Sequence, residues 1–154
     1  MKPLFKLYPA LVLALAGLLV SGCSHLEEIE PPGVVPEISL ISVSPTVVIA
    51  HEEEIIFKIE YTDGDGDLGS NNDLDRNVFV KDTRIDVVHE FRLRQLAPDG
   101  AVIPITGIFD IVLPNTIITN GSGEQKAVFS IHIVDRAGNE SNVVDSPEIT
   151  IKAE

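Results

Sequence analysis

The sequence predicts an all-β protein, folded as an antiparallel β-sandwich over residues 38–154. Apolar and polar residues alternate with period two in several short runs, which is typical of half-buried strands. Turn sequences, such as PDG at 98–100 and NGSG at 120–123, separate these runs. No run has the apolar stripe that a helix would need, so the pattern indicates strands alone.

The segment before the domain, 1–22, has the layout of a secretory signal peptide. Lys2 and Lys6 precede an apolar stretch, and small residues lead up to Cys23. The apolar stretch is too short for a comfortable membrane span. Its end, LVSGC, resembles the lipobox of bacterial lipoproteins, in which the cysteine after the cleavage site receives lipid. We therefore expect lipid on Cys23; the alternative is cleavage elsewhere, which would leave a soluble periplasmic protein.

Cys23 is the only cysteine in the chain, so it cannot form an internal disulfide. In the predicted lipidated tether and linker, 23–37, Glu27 and Glu28 are similar to the acidic export signal of Bacteroidota lipoproteins that reach the outer face of the outer membrane. The alternative is a solvated start to a linker, with the protein on the periplasmic face. The proline-containing segment 31–36 predicts a semi-rigid spacer.

Four runs define the predicted strands most clearly, and about seven short strands without helices point to an immunoglobulin-like or fibronectin-like sandwich. An up-and-down barrel is the alternative. The runs are EIIFKIEYT at 54–62, HEFRLRQL at 89–96, KAVFSIHIVD at 126–135 and PEITIKA at 147–153. The expected core-facing residues are Ile55, Phe57, Ile59, Tyr61, Phe91, Leu93, Ala127, Phe129, Ile131, Ile133, Ile149 and Ile151.

The stretch YTDGDGDLGSNND at 61–73 predicts a calcium-like site. Asp63, Asp65 and Asp67 can converge because the glycines between them let the backbone curl. A hard divalent cation takes six to eight oxygen ligands, many of them carboxylates. An EF-hand is rejected, since Leu68 and Leu74 occupy the positions of its glycine and its bidentate glutamate. A solvated turn is the alternative, because Asp and Gly are common turn formers.

A second segment, VDRAGNESNVV at 134–144, is expected at the same end of the sandwich, since it follows one strand and precedes the last. Asp135 and Asn139 would then complete the cation cage that the first loop begins. Their alternative role is a tight turn, with Gly138 in the left-handed conformation and Asn139 bonded to the local backbone.

The two motifs YTDGDGDLG and VDRAGNESNVVDSPEITI, behind a lipobox, resemble those of a group of small Bacteroidota surface lipoproteins with an immunoglobulin-like domain. The resemblance extends from the signal peptide to the C-terminus. It implies a cell-envelope location and a β-sandwich, and it brings no activity with it.

Composition and missing motifs narrow the function classes. The formal net charge of −13 argues against nucleic-acid binding, because phosphates would be repelled. No nucleophile elbow, zinc-protease motif or phosphate-binding loop is present, so we expect no enzyme activity. A non-enzymatic binding or adhesion module is favoured over an accessory subunit of a nutrient-uptake or secretion assembly. A carbohydrate-binding domain is the weakest alternative, because Trp is absent and Tyr61 faces inward.

Overall fold

The computed structural model describes residues 33–154, and this part of the chain contains strands and turns but no helix. Within it, no helix is therefore long and apolar enough to cross a membrane. The predicted signal peptide, Cys23 and the acidic pair of the tether lie outside the described residues. The ten strands are β1 (Glu37–Ser44), β2 (Val47–Ile49), β3 (Ile55–Asp63), β4 (Val78–Asp82), β5 (Val87–Phe91), β6 (Ile105–Leu113), β7 (Glu124–Ala127), β8 (Phe129–Ile133), β9 (Val144–Asp145) and β10 (Ile149–Lys152).

The strands form a β-sandwich of mainly antiparallel sheets, as the sequence predicts. One layer is the antiparallel sheet β1-β3-β6. The other contains β2-β10-β7 and β5-β4-β8-β9, which the chain joins directly because a single residue, Val128, separates β7 from β8. All pairings are antiparallel except that of the short β2 with β10.

The core lies between the two layers and is built by the predicted alternation. Along β3 every second residue from Ile55 to Tyr61 is buried, and the same holds along β8 from Phe129 to Ile133. Phe57 of one layer meets Phe129 of the other edge to face, with ring centroids 5.6 Å apart. Such aromatic pairs add to the stabilisation that burial alone provides.

Three details differ from the prediction. The domain has ten strands rather than about seven, because the run 126–135 is divided at Val128 and the very short β2 and β9 also count as strands. The chain changes partners there, since β7 pairs with β10 whereas β8 pairs with β4 and β9. Leu93 is partly buried but lies beyond the end of β5. The first strand begins at Glu37, one residue before the predicted boundary.

Candidate metal centre

Three aspartates converge where β3 ends. Asp63 is the last residue of the strand and is completely buried, while Asp65 and Asp67 follow in the loop and are half-buried. One carboxylate oxygen from each of the three lies within 4.8 Å of the other two. The structure therefore brings together the three aspartates that the sequence singled out in this loop.

Two glycines shape the loop because no other residue fits their positions. Gly66 has a φ of 74°, and a Cβ there would lie 2.3 Å from the carbonyl oxygen of Ile103. Gly69 has a φ of 79°, and its Cβ would lie 2.1 Å from the carbonyl oxygen of Arg94. L residues adopt such φ values at a cost, and the contacts would be overlaps with backbone. The loop is thus pressed against the segment that leads into β6.

Further backbone hydrogen bonds hold the loop from other sides. The N–H of Gly64 donates to the carbonyl of Gly33, within the predicted linker, with an N···O distance of 2.9 Å. The N–H of Ile103 donates to the carbonyl of Asp65 at 3.3 Å. The curl of the acidic loop is therefore fixed by segments that are far away in sequence.

The carboxylates of the cluster accept few hydrogen bonds from the described part of the chain. The backbone N–H of Leu68 donates to Oδ2 of Asp63, and that of Ala137 donates to Oδ2 of Asp67, each at 3.0 Å. Oδ1 of Asp63, Asp65 and Asp67 is buried and has no hydrogen-bond partner in the described part of the chain. A buried acceptor without a partner costs free energy, and a buried charge costs more. Three such oxygens at one point match the ligand chemistry of a hard cation.

Burial and repulsion by neighbouring carboxylates disfavour the charged forms of Asp63 and Asp67. Burial is the largest cause that raises the pKa of Asp63, and the neighbouring carboxylates Asp65 and Asp67 raise it further against the opposing Leu68 N–H. Burial likewise raises the pKa of Asp67, followed by the charges of Asp135 and Asp65. Without a countercharge, these positions therefore hold protons more tightly than an ordinary aspartate does.

The second predicted loop does meet the first one. The backbone N–H of Arg136 donates to the carbonyl oxygen of Asp67 at 3.3 Å, beside the contact from Ala137. Asp135 is buried, but its two carboxylate oxygens accept from the backbone N–H and the side-chain amide of Asn139, each at 2.8 Å. Asp135 and Asn139 therefore bond each other, and Asp135 acts on Asp67 through its charge.

The acidic residues after the loop are used differently. Asp75 accepts from the hydroxyl of Ser70 and from the side-chain amide of Asn72. Asp73 is exposed and pairs with Arg92 at 2.8 Å. The second half of the acidic stretch is thus a self-bonded turn rather than part of the carboxylate cluster. Of the residues that shape this loop, Gly66 was expected from the sequence, whereas Gly69, Gly33 and Ile103 were not.

Comparison with known proteins assigns the chain to no family. No family model and no curated protein matches the sequence. The crystal structure of a Niemann-Pick type C2 protein from Japanese carpenter ant is similar over 81% of this chain and 98% of that chain, with 14% identity and a TM-score of 0.44. Similarity at this level supports no inference about ligand or activity.

The shape of the loop can be tested with matched glycine variants. Gly66→Ala should destabilise the protein more than Gly100→Ala, although both residues have a φ of 74°, because a Cβ at Gly100 meets nothing within 4 Å. The difference in unfolding free energy, from urea denaturation, should exceed about 1 kcal/mol. Equal losses for the two variants would show that the contact with Ile103 does not shape the loop.

The raised pKa values predict how pH acts on the cation-free protein. For an aspartate whose folded pKa is raised, the stabilising contribution is complete below the unfolded pKa of about 4 and is lost as pH rises through the folded pKa. In a chelator, Asp67→Asn should therefore gain stability relative to the wild type between pH 4 and pH 7, while still accepting from Ala137. Denaturation curves at both pH values measure this. A difference that shrinks with rising pH would contradict the assigned direction.

Proposed function

We propose that the protein is a lipid-anchored, non-enzymatic binding or adhesion module of the cell envelope, stabilised at one end by a calcium-class cation. The observation that supports the cation most directly is the set of three buried carboxylate oxygens without partners at Asp63, Asp65 and Asp67. A cation there would replace the missing hydrogen bonds and cancel most of the mutual repulsion.

The chemistry of the loop favours calcium over other metals. All candidate ligands are oxygens, whereas zinc and copper sites are built with nitrogen or sulfur ligands. Magnesium demands near-ideal octahedral geometry and keeps several waters, whereas calcium accepts irregular sets of oxygens. Asp63, Asp65 and Asp67 are the proposed direct ligands. Asp135, held by Asn139, adds negative charge next to Asp67 and strengthens the attraction for the ion.

The membrane is the second proposed partner, through lipid on Cys23. Stable anchoring needs more than one acyl chain, since a single chain binds a bilayer only marginally. The predicted tether would hold the sandwich off the outer membrane, at the cell surface or, alternatively, at the periplasmic face. The molecular partner would be an envelope protein or a glycan. Tyr61 is buried and offers no surface on which a sugar ring could stack, so an envelope protein is preferred over a glycan.

An accessory subunit of an envelope uptake or secretion assembly is the second candidate. This candidate is supported by β6, which is an edge strand of its sheet. Its residues Ile108 and Val112 have 58% and 42% of their surface exposed to solvent. An unprotected edge of this length can pair with a strand of another chain.

Calcium should raise the melting temperature of the purified protein. Extracellular calcium modules bind at roughly 10⁻⁴ to 10⁻³ M. At about ten times the dissociation constant, the bound ion adds about 1.4 kcal/mol of stability, which corresponds to several degrees. Asp65→Asn and Asp67→Asn should remove most of the rise, because each neutralises a ligand. Scanning calorimetry in calcium and in sodium chloride of equal ionic strength provides the measurement.

Two variants make this experiment specific. Asp86→Asn is the control, because its carboxylate is exposed and pairs with Lys81 away from the cluster. It should keep the full calcium response. Asp135→Asn should reduce the response without abolishing it, since it removes charge but no proposed ligand. A wild-type response no larger than that to sodium would exclude the cation site, and an unchanged response in Asp135→Asn would exclude a contribution from the second loop.

Lipid attachment is tested separately in cells. Metabolic labelling with a fatty-acid analogue should tag the wild-type protein, and Cys23→Ala should lose the tag because the thiol is the acceptor. Protease added to intact cells should cleave the domain if it lies at the surface. Persistent labelling of Cys23→Ala would eliminate the lipoprotein assignment, and cleavage only after the outer membrane is broken would place the domain on the periplasmic side.

A further inference from the structure

A cleft of about 360 Å³ lies beside the aspartate cluster, on the side of the second loop. Arg76 and Arg136 are among the residues that line it, together with the carboxylates Asp75 and Asp135. Its size is near the lower end of the range for small-molecule pockets. The proposed function as a binding module does not specify which surface contacts the ligand. The charged side chains of this cleft make it a candidate for that surface.

The carboxylates in the wall are held in place by hydrogen bonds from neighbouring residues. Both oxygens of Asp135 accept from Asn139, and those of Asp75 accept from Ser70 and Asn72. One lone pair of each oxygen is therefore already used within the protein.

The two guanidinium groups differ from these acids because they keep free donors. Arg136 uses Nη1 to donate to the carbonyl oxygen of Gly69 at 3.1 Å, and Arg76 uses Nη1 to donate to two nearby backbone carbonyls. These bonds fix each side chain while leaving other N–H groups available. Neither arginine forms an ion pair within residues 33–154, although five other basic residues do: Lys58, Lys81, Arg84, Arg92 and Lys126.

We propose that this cleft binds a carboxylate group between Arg76 and Arg136, carried by a small acidic molecule or by an acidic side chain of a peptide. The inference rests on the proposed function, of which it would be the ligand site. A guanidinium binds a carboxylate through two parallel N–H···O bonds, a geometry that a point charge does not offer. A carboxylate is favoured over a phosphate dianion because the chain has a net charge of −13 and Asp75 and Asp135 lie in the same wall.

The cleft is connected to the aspartate cluster through the backbone. The N–H groups of Arg136 and Ala137 both donate to Asp67, one to its carbonyl oxygen and one to its carboxylate. A cation held by Asp67 would therefore also fix the segment from which Arg136 projects. Calcium should tighten carboxylate binding, and by thermodynamic reciprocity the carboxylate should tighten calcium binding.

Titration of the purified protein with succinate, in calcium, tests the site. The probe should bind saturably by calorimetry and shift the Nε–H NMR signals of Arg76 and Arg136. Arg76→Gln and Arg136→Gln should each weaken binding about tenfold or more, as removal of a charge-assisted pair predicts. Arg94→Gln is the matched control, because Arg94 is exposed, does not line the cleft and has no ion pair within the described residues. The control should bind succinate as the wild type does.

A second set of measurements distinguishes a free acid from an acidic side chain as the source of the carboxylate. It also distinguishes failure of the carboxylate site from failure of the proposed function. An acetylated and amidated Gly-Asp-Gly peptide should bind where an acidic side chain is the ligand, whereas binding of succinate alone indicates a free acid. If neither probe binds while calcium still raises the melting temperature, the proposed carboxylate site is overturned and the cation site stands. Loss of binding in Arg94→Gln equal to that in Arg136→Gln would also overturn it. Absence of the calcium response would instead count against the proposed function.

Discussion

The repulsion among three converging carboxylates is the constraint on which this end of the molecule depends. Asp63 closes the central strand of one sheet, so its position is fixed by the ladder to β1 and β6. The glycine-shaped curl then brings Asp65 and Asp67 to the same point. Each group avoids solvent and meets a like charge, which raises the pKa of Asp63 and Asp67. A proton on one of the carboxylates, or the cation proposed above, would neutralise this arrangement.

The sandwich supplies the rigidity that such a site requires. Phe57 and Ile59 anchor β3 in the core directly before the loop begins, and Leu68 is buried directly after Asp67. The loop is therefore held at both ends by apolar packing as well as by its hydrogen bonds. A loop that is fixed in this way loses little entropy on binding an ion, so more of the interaction energy appears as affinity.

Local patterns predict much of this fold, and contacts distant in sequence explain what they miss. Period-two alternation identifies β3 and β10 because one face of each strand is buried. It also joins β7 to β8, since the change of partner at Val128, from β10 to β4, leaves no trace in the alternation. The aspartate cluster was predictable because its residues are adjacent in sequence. The sequence indicated a turn at 135–139 as one alternative, but not the bonds between the Asp135 carboxylate and Asn139. It also gave no sign that Arg136 and Ala137 hold Asp67, because backbone N–H groups have no sequence signal.

A buried aspartate in the other layer shows how this protein satisfies such a group with its own residues. Asp82 is buried like Asp63, yet Arg84 lies against it at 2.6 Å and also donates through Nε. Burial by itself would raise the pKa of Asp82, but the hydrogen bonds and charge of Arg84 outweigh it and lower the pKa. No basic side chain forms an ion pair with Asp63, Asp65 or Asp67 within residues 33–154, although Arg136 lies on the adjoining loop and donates to Gly69 instead. The three loop carboxylates thus lack the internal ion pair that neutralises Asp82, and this difference supports the cation site proposed above.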